Sequence, residues 1–169
     1  MTSRLIVDKI EGKATSSKVI MPSGHVVQTQ FHTFTDTTTF SSNSYVDVGG
    51  SSFTFTPKFA SSLLYISCSV HFYIYRGSDD NGGSIDINVD GSNISASGDT
   101  REMLISIGGA SAVYFWCRQN KEVTVSASNT NAKTIKLQGQ VHETANSGGS
   151  RVNDGGNYTS SIKVQEVAQ

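Results

Sequence analysis

The segment Leu63–Arg76, with the sequence LLYISCSVHFYIYR, decides the fold class of this 169-residue chain. Its side chains alternate between two sets, as the side chains of a β-strand alternate between the two faces of a sheet. One set is entirely apolar and is predicted to be buried: Leu64, Ile66, Cys68, Val70, Phe72 and Ile74. The segment is therefore predicted to be a strand with one face in a hydrophobic core.

The opposite set of this segment is aromatic and hydroxylated, and it contains no Lys, Glu or Asp. The segment Ala112–Arg118 (AVYFWCR) divides in the same way. Because Tyr and Trp are enriched at subunit interfaces, we predict that these side chains form one. The alternative is that a long loop of the same chain covers them. The predicted interface residues are Tyr65, His71, Tyr73, Tyr75, Tyr114 and Trp116.

The rest of the chain also shows the two-residue period of strands, interrupted by clusters of Gly, Asn and Asp. About ten short strands separated by such turns favour one all-β domain, an antiparallel β-sandwich or barrel. The nine further predicted strands are His25–Phe34, Ser44–Val48, Ser52–Thr56, Ser84–Val89, Met103–Ile107, Ala112–Arg118, Glu122–Ala127, Thr134–Val141 and Ser160–Val167.

Charge and hydropathy exclude several classes of partner. The 13 Lys and Arg are scattered, and the net charge is −1, so the sequence carries no electrostatic footprint for nucleic acid or an anionic membrane. There is no apolar run of about 18 residues and no apolar core of a signal peptide near the N-terminus. We therefore expect no membrane insertion and folding in a cytosol.

The sequence gives little support for a catalytic site or a metal-binding site. The four histidines are dispersed, and no nucleotide-binding glycine motif is present. Cys68 and Cys117 lie in apolar runs and are expected to be reduced and buried. The oxygen-rich loop Asp79–Gly83 suffices as a turn without Ca²⁺. The sequence does not exclude a pair of catalytic carboxylates of the glycosidase type, because any two of several acidic residues can converge: Asp86, Asp90, Asp99, Glu102 and Glu122. We expect no cofactor, no metal and no enzyme activity.

The N-terminal residues 1–24 are predicted to form an extended arm, followed by a head domain over residues 25–169. The apolar residues of the arm are too few to bury one another, so they are expected to dock on another subunit or another protein. These residues are Leu5, Val7, Ile10, Val19 and Ile20.

The stretch His142–Asn157 (HETANSGGSRVNDGGN) is predicted to be a long surface loop. The composition is consistent with a flexible loop that has no further role and also with a loop that binds a partner. As an outward binding loop, it would act through Arg151, Asn153, Asp154, Asn157 and Tyr158.

Three stretches carry a resemblance to a known class of proteins. They are the N-terminal segment Ser3–Gln30, the segment Ser52–Ser67 (SFTFTPKFASSLLYIS) and the terminal segment Ser160–Gln169 (SSIKVQEVAQ). Their order and spacing resemble the small fibre and tail-fibre-like virion proteins of tailed bacteriophages, particularly those of marine and cyanobacterial phages. The resemblance covers essentially the whole chain.

The resemblance implies a jelly-roll head similar to those of tumour necrosis factor and C1q, assembled as a homotrimer. It also implies that the arm attaches to other virion proteins of the tail or capsid, in a particle assembled in the host cytoplasm, while loops of the head contact a host-surface glycan. The sequence has no shaft repeats, so a capsid decoration protein is an alternative. A free-standing C1q-like or lectin-like binding module and a β-sandwich hydrolase are the other classes considered.

Overall fold

The structure, a computed structural model, describes residues 23–76, 81–94, 103–105, 113–142, 149–155 and 157–169. Within these ranges the regular secondary structure consists of β-strands, which form two antiparallel sheets, so the predicted all-β sandwich is confirmed. The strands are β1 (Val26–Phe34), β2 (Thr38–Phe40), β3 (Val46–Asp47), β4 (Phe53–Phe55), β5 (Leu63–Arg76), β6 (Asn81–Val89), β7 (Ser92–Asn93), β8 (Met103–Ile105), β9 (Val113–Ser126), β10 (Lys133–Val141), β11 (Gly149–Val152) and β12 (Ser160–Val167).

The first sheet is built around β5. Strand β9 pairs with β5 along its whole length, from Leu63 to Arg76. Strands β12 and β11 pair with successive halves of β5, so they lie end to end along its other edge. Outside them, β1 pairs with β12 and β2 pairs with β11. Among the described strands, β9 therefore forms one margin of this sheet, and β1 with β2 forms the other.

The second sheet is built around β10 and β6, which pair from Ile135 to Val141. Strands β3 and β4 pair with the other edge of β10. Strands β7 and β8 pair with the two ends of β6. The sheet is thus four strands wide if the short strands at each margin are taken together.

The hydrophobic core lies between the two sheets. All six apolar residues of the alternating set in β5 are at most 5% exposed, which confirms the burial predicted from their period. The second sheet contributes Ile85, Ile87, Ile135 and Leu137 to the same core. A Cβ added at Gly139 would overlap the buried ring of Phe40, so this position of β10 has room only for glycine unless the ring moves.

Several elements differ from the expectation. Strand β6 begins at Asn81, inside the predicted turn Asp79–Gly83, and the two-residue β7 was not predicted. Strand β9 is continuous, whereas two strands were predicted here, with the polar run Gln119–Lys121 between them. The run stays in the strand because every residue of β5 offers it a partner. Strand β11 lies within the stretch predicted to be a loop, and β2 also was not predicted. Both are short, and they are held by pairing with each other and by the pairing of β11 with β5.

The described part of the head begins beside its own C-terminus. The Gly24 N–H donates to the Ala168 carbonyl (2.8 Å), and the Ala168 N–H donates to the His25 carbonyl (2.9 Å). The predicted arm residues Leu5, Val7, Ile10, Val19 and Ile20 lie outside the described residues. None of the described residues belongs to a helix long and apolar enough to span a membrane.

The two cysteines are thiols. The prediction of burial is confirmed for Cys68, whereas Cys117 is only half-buried. The register of β5 and β9 places Cys117 opposite Phe72, four residues along the strand from Cys68. That offset is about 13 Å, too far for a disulfide within the chain. Desolvation raises the pKa of the Cys117 thiol, so it is protonated at neutral pH.

Candidate functional site

The candidate site is the outer face of the first sheet, defined as the side chains that point away from the second sheet. The pairing of β5 with β9 brings predicted interface residues together on this face. Tyr73 lies opposite Trp116, and Tyr75 lies opposite Tyr114. We call these four residues the aromatic cluster.

The rings of the aromatic cluster contact one another. The ring centroids of Tyr73 and Trp116 are 5.2 Å apart, and those of Tyr75 and Tyr114 are 5.1 Å apart. The rings of Tyr114 and Trp116 are nearly parallel, at 17° and 6.2 Å. These distances fall in the range of about 4.5–7 Å in which aromatic pairs attract each other. The cluster is therefore a packed apolar surface rather than a set of separate side chains.

The aromatic cluster is open on the side of β9. Tyr114 is 54% exposed and Trp116 is 51% exposed, whereas Tyr73 is buried beneath its neighbours. Phe115, between them on the strand, is also exposed, but it pairs with Ile74 and its side chain points to the opposite face of the sheet. Tyr114 and Trp116 together leave a larger apolar patch on the outer face than a single exposed residue does.

A charged pair borders the aromatic cluster. Arg151 of β11 lies opposite Tyr73, with its Cζ 5.6 Å from the centre of that ring. Its Nη1 donates to Asp154 Oδ1 at 2.8 Å, and this hydrogen bond raises the pKa of the Arg151 guanidinium. Desolvation and the nearby Asp154 carboxylate raise the pKa of Tyr73, so the phenol is neutral.

Asn153 does not face outward, as an outward binding loop would require. Its side chain is completely buried, because it joins three segments. Nδ2 donates to the Phe34 carbonyl (3.2 Å), and Oδ1 accepts from Ser160 Oγ (2.7 Å). Its φ of 53° lies in the left-handed region that Asn tolerates better than most residues. Asn153 thus fixes the turn that presents Arg151 and Asp154.

His71 lies on the same face, opposite Arg118. Its ring stacks on the ring of Tyr158, at 3.5 Å between centroids and 4° between planes. The imidazole is 9% exposed, and its Nδ1 has no hydrogen-bond partner among the described residues. Desolvation, with a smaller contribution from Arg118, lowers the pKa of His71, so the ring is neutral at pH 7. Asn157 and Tyr158 are both exposed.

Tyr65, the sixth predicted interface residue, lies apart from the aromatic cluster. It is eight residues from Tyr73 on the same strand, which is about 26 Å. It lines a shallow depression of about 330 Å³, together with Ser67, Glu122, Thr124, Lys163 and Gln165. The sequence analysis did not place Glu122 and Lys163 together, because only the register of β12, β5 and β9 brings them to the same depression.

The described part of the chain holds no group of three or more His, Cys, Asp or Glu that can bind a metal ion. Two of the acidic residues considered for glycoside hydrolysis form ion pairs across the structure. Asp86 lies 3.8 Å from Lys121, and Asp90 lies 3.7 Å from Lys133. Asp99 and Glu102 lie outside the described residues.

No protein-family model matches the chain, and no curated protein matches it.

Proposed function

We propose that this chain is a structural protein that assembles into a homotrimer through the outer face of its first sheet and acts as a virion component of a tailed bacteriophage. The observation that carries the assembly is the half-exposed aromatic surface on β9. Burying an apolar side chain of this size contributes about 1.5–3 kcal/mol. Tyr114 and Trp116, which share the outer face, together therefore favour association strongly.

The length of β9 supports the same assembly. A margin of 14 residues is long for a strand that pairs on one edge only within the described residues. Such edges recruit further protein chain, and closed cyclic symmetry covers them without open-ended growth. A threefold ring places the β9 margin of each subunit against the first sheet of the next.

Strand order supports a jelly-roll form of the sandwich. Taking β1 with β2, β3 with β4, β7 with β8 and β11 with β12 gives eight successive strands. The first, eighth, third and sixth lie in one sheet, and the second, seventh, fourth and fifth lie in the other. This interleaving of chain ends is the arrangement of two Greek keys wrapped into two sheets.

The virion role rests on the sequence resemblance and on the arm. We infer that the arm attaches the head to a tail or capsid protein, as a short fibre or a capsid decoration, and that the protein is not an enzyme. Contact of the head with a host-surface glycan belongs to the same proposal. The charged pair Arg151 and Asp154 borders the aromatic cluster. A glycan bound at this pair therefore competes with assembly through the cluster.

Replacing the two exposed rings of the aromatic cluster tests the assembly. We expect the wild-type protein to sediment as a trimer at micromolar concentration and the variant Tyr114→Ser/Trp116→Ser as a folded monomer, because little else in the cluster is exposed. Analytical ultracentrifugation gives the masses. Val46→Ser removes an exposed apolar side chain from the second sheet and serves as the control, which should stay trimeric. A monomeric wild-type protein contradicts the proposal.

Deleting residues 1–22 tests the arm. We expect the truncated head to stay folded and trimeric, because its core consists of residues from Phe34 onward. It should no longer be incorporated into phage particles, which quantitative mass spectrometry of purified particles measures against full-length protein. Incorporation at normal copy number would place attachment in the head, and failure to fold would place the arm in the core.

A further inference from the structure

We propose that Lys163 of one subunit pairs with Glu122 of the next, so that an intersubunit ion pair sets the register of a head-to-tail ring. The inference rests on the proposed trimer and adds which surfaces meet. It concerns the part of the outer face around the depression beside Tyr65, away from the aromatic cluster.

The two charges lie in one row across the first sheet. Strand pairing aligns Phe31 with Lys163, Lys163 with Ser67, and Ser67 with Glu122. The row therefore runs from β1 to β9. It carries the basic Lys163 near the β1 margin and the acidic Glu122 at the β9 margin. Phe31, at the β1 end, is 69% exposed.

Lys163 and Glu122 of one subunit do not contact each other in the structure. Lys163 and Glu122 are two strands apart, which is about 9.5 Å between backbones, and their side chains stand off the sheet on either side of Ser67. Within the described ranges, neither side chain makes an ion pair or a side-chain hydrogen bond. In contrast, Lys133, Lys136 and Arg151 each have a carboxylate within 4 Å.

A second copy of the chain fits this surface because it supplies both complementary charges. In a head-to-tail ring, the β9 margin of one subunit packs on the outer face of its neighbour's first sheet, over β12 and β1. Glu122 then approaches Lys163 of the neighbour, and the exposed ring of Phe31 is covered. The same contact brings the aromatic residues of β9 onto the neighbouring first sheet. Charge complementarity across an interface fixes register and excludes wrong pairings.

Charge reversal tests the pair. We expect Glu122→Lys and Lys163→Glu each to weaken the trimer at least tenfold in dissociation constant, because like charges then face each other. The double variant Glu122→Lys/Lys163→Glu should recover trimers to within about threefold of wild type. Sedimentation equilibrium at two salt concentrations measures this, and circular dichroism checks folding. Lys136→Glu, which breaks an exposed pair with Asp47 on the second sheet, is the matched control and should stay trimeric.

A disulfide tests the same contact independently of charge. Glu122→Cys/Lys163→Cys should oxidise to covalent trimers, because each ring contact joins one new thiol to the other. The two positions are too far apart to bridge within a subunit. Neither single cysteine variant should form covalent dimers or trimers. Trimers with no cross-linking and no effect of charge reversal would overturn this register and leave the trimer intact. Covalent species limited to dimers would overturn the head-to-tail arrangement, and a monomeric wild type would overturn the proposed function itself.

Discussion

Glu166→Gln is expected to lower the free energy of unfolding by about 2–4 kcal/mol, since hydrogen bonds to a buried charge are each worth about 1.5–3 kcal/mol. The carboxylate is completely buried near the C-terminus. It accepts the N–H groups of Lys58 and Phe59 at 2.9 Å and the Ser62 hydroxyl at 2.6 Å. Gln28 Nε2 also donates to it at 2.6 Å. An amide offers one acceptor oxygen and turns its NH₂ toward donors.

The loss should depend on pH. Desolvation alone would raise the pKa of Glu166, but the hydrogen bonds from Ser62, Lys58, Phe59 and Gln28 outweigh it, and the net pKa lies below the usual 4.5. A lowered pKa in the folded state gives stability that is complete above pH 4.5 and is lost as the pH falls through the folded value. The difference between wild type and Glu166→Gln should therefore shrink below pH 4.5.

Urea denaturation from pH 3 to pH 7 measures both effects. Gln28→Ala removes a single donor from the carboxylate and is the control, with an expected loss of about 1 kcal/mol. Equal losses for Glu166→Gln at all pH values would show that the ionised form of Glu166 does not stabilise the loop between β4 and β5.

Asn153→Ala is expected to cost about 3–5 kcal/mol. The substitution leaves the Phe34 carbonyl and the Ser160 hydroxyl without their buried partner, at about 1–3 kcal/mol each. It also places alanine at a φ of 53°, which costs about 1–2 kcal/mol. The turn that presents Arg151 and Asp154 should loosen at the same time.

Asn153→Gly separates the two contributions, because glycine adopts this φ without strain but cannot form the side-chain hydrogen bonds. We expect it to be more stable than Asn153→Ala by about 1 kcal/mol or more in guanidinium denaturation. An exposed comparison is Asn157→Ala, which should be close to neutral. A loss below 1 kcal/mol for Asn153→Ala would show that the buried amide is not needed to join the segments.

Local patterns predicted the elements whose side chains alternate cleanly. Strands β5 and β12 were predicted at the bounds observed, and β10 was predicted to begin one residue late. Strand β11 was missed, because GSRV is short and lies in a Gly-rich stretch, and only its pairing with Ile74 and neighbours makes it a strand. The polar middle of β9 was missed for the same reason.

The site was predicted in part. Tyr73, Tyr75, Tyr114 and Trp116 were correctly placed on one side of their strands, because the face of a side chain follows from the two-residue period. Their mutual contact needed the register of β5 with β9. Asn153 was misplaced because turn composition does not reveal whether an amide points outward or joins buried segments.

The sequence by itself determined the all-β class, the buried face of β5 and the uncharged aromatic character of its other face, since each of these follows from the alternation of neighbouring residues. Only the tertiary structure decided which residues meet across strands: the aromatic cluster, the burial of Asn153 and Glu166, and the separation of Lys163 from Glu122. These depend on pairings between residues far apart in the chain. Such register is set by packing and hydrogen bonding of the whole sheet, and no local pattern records it.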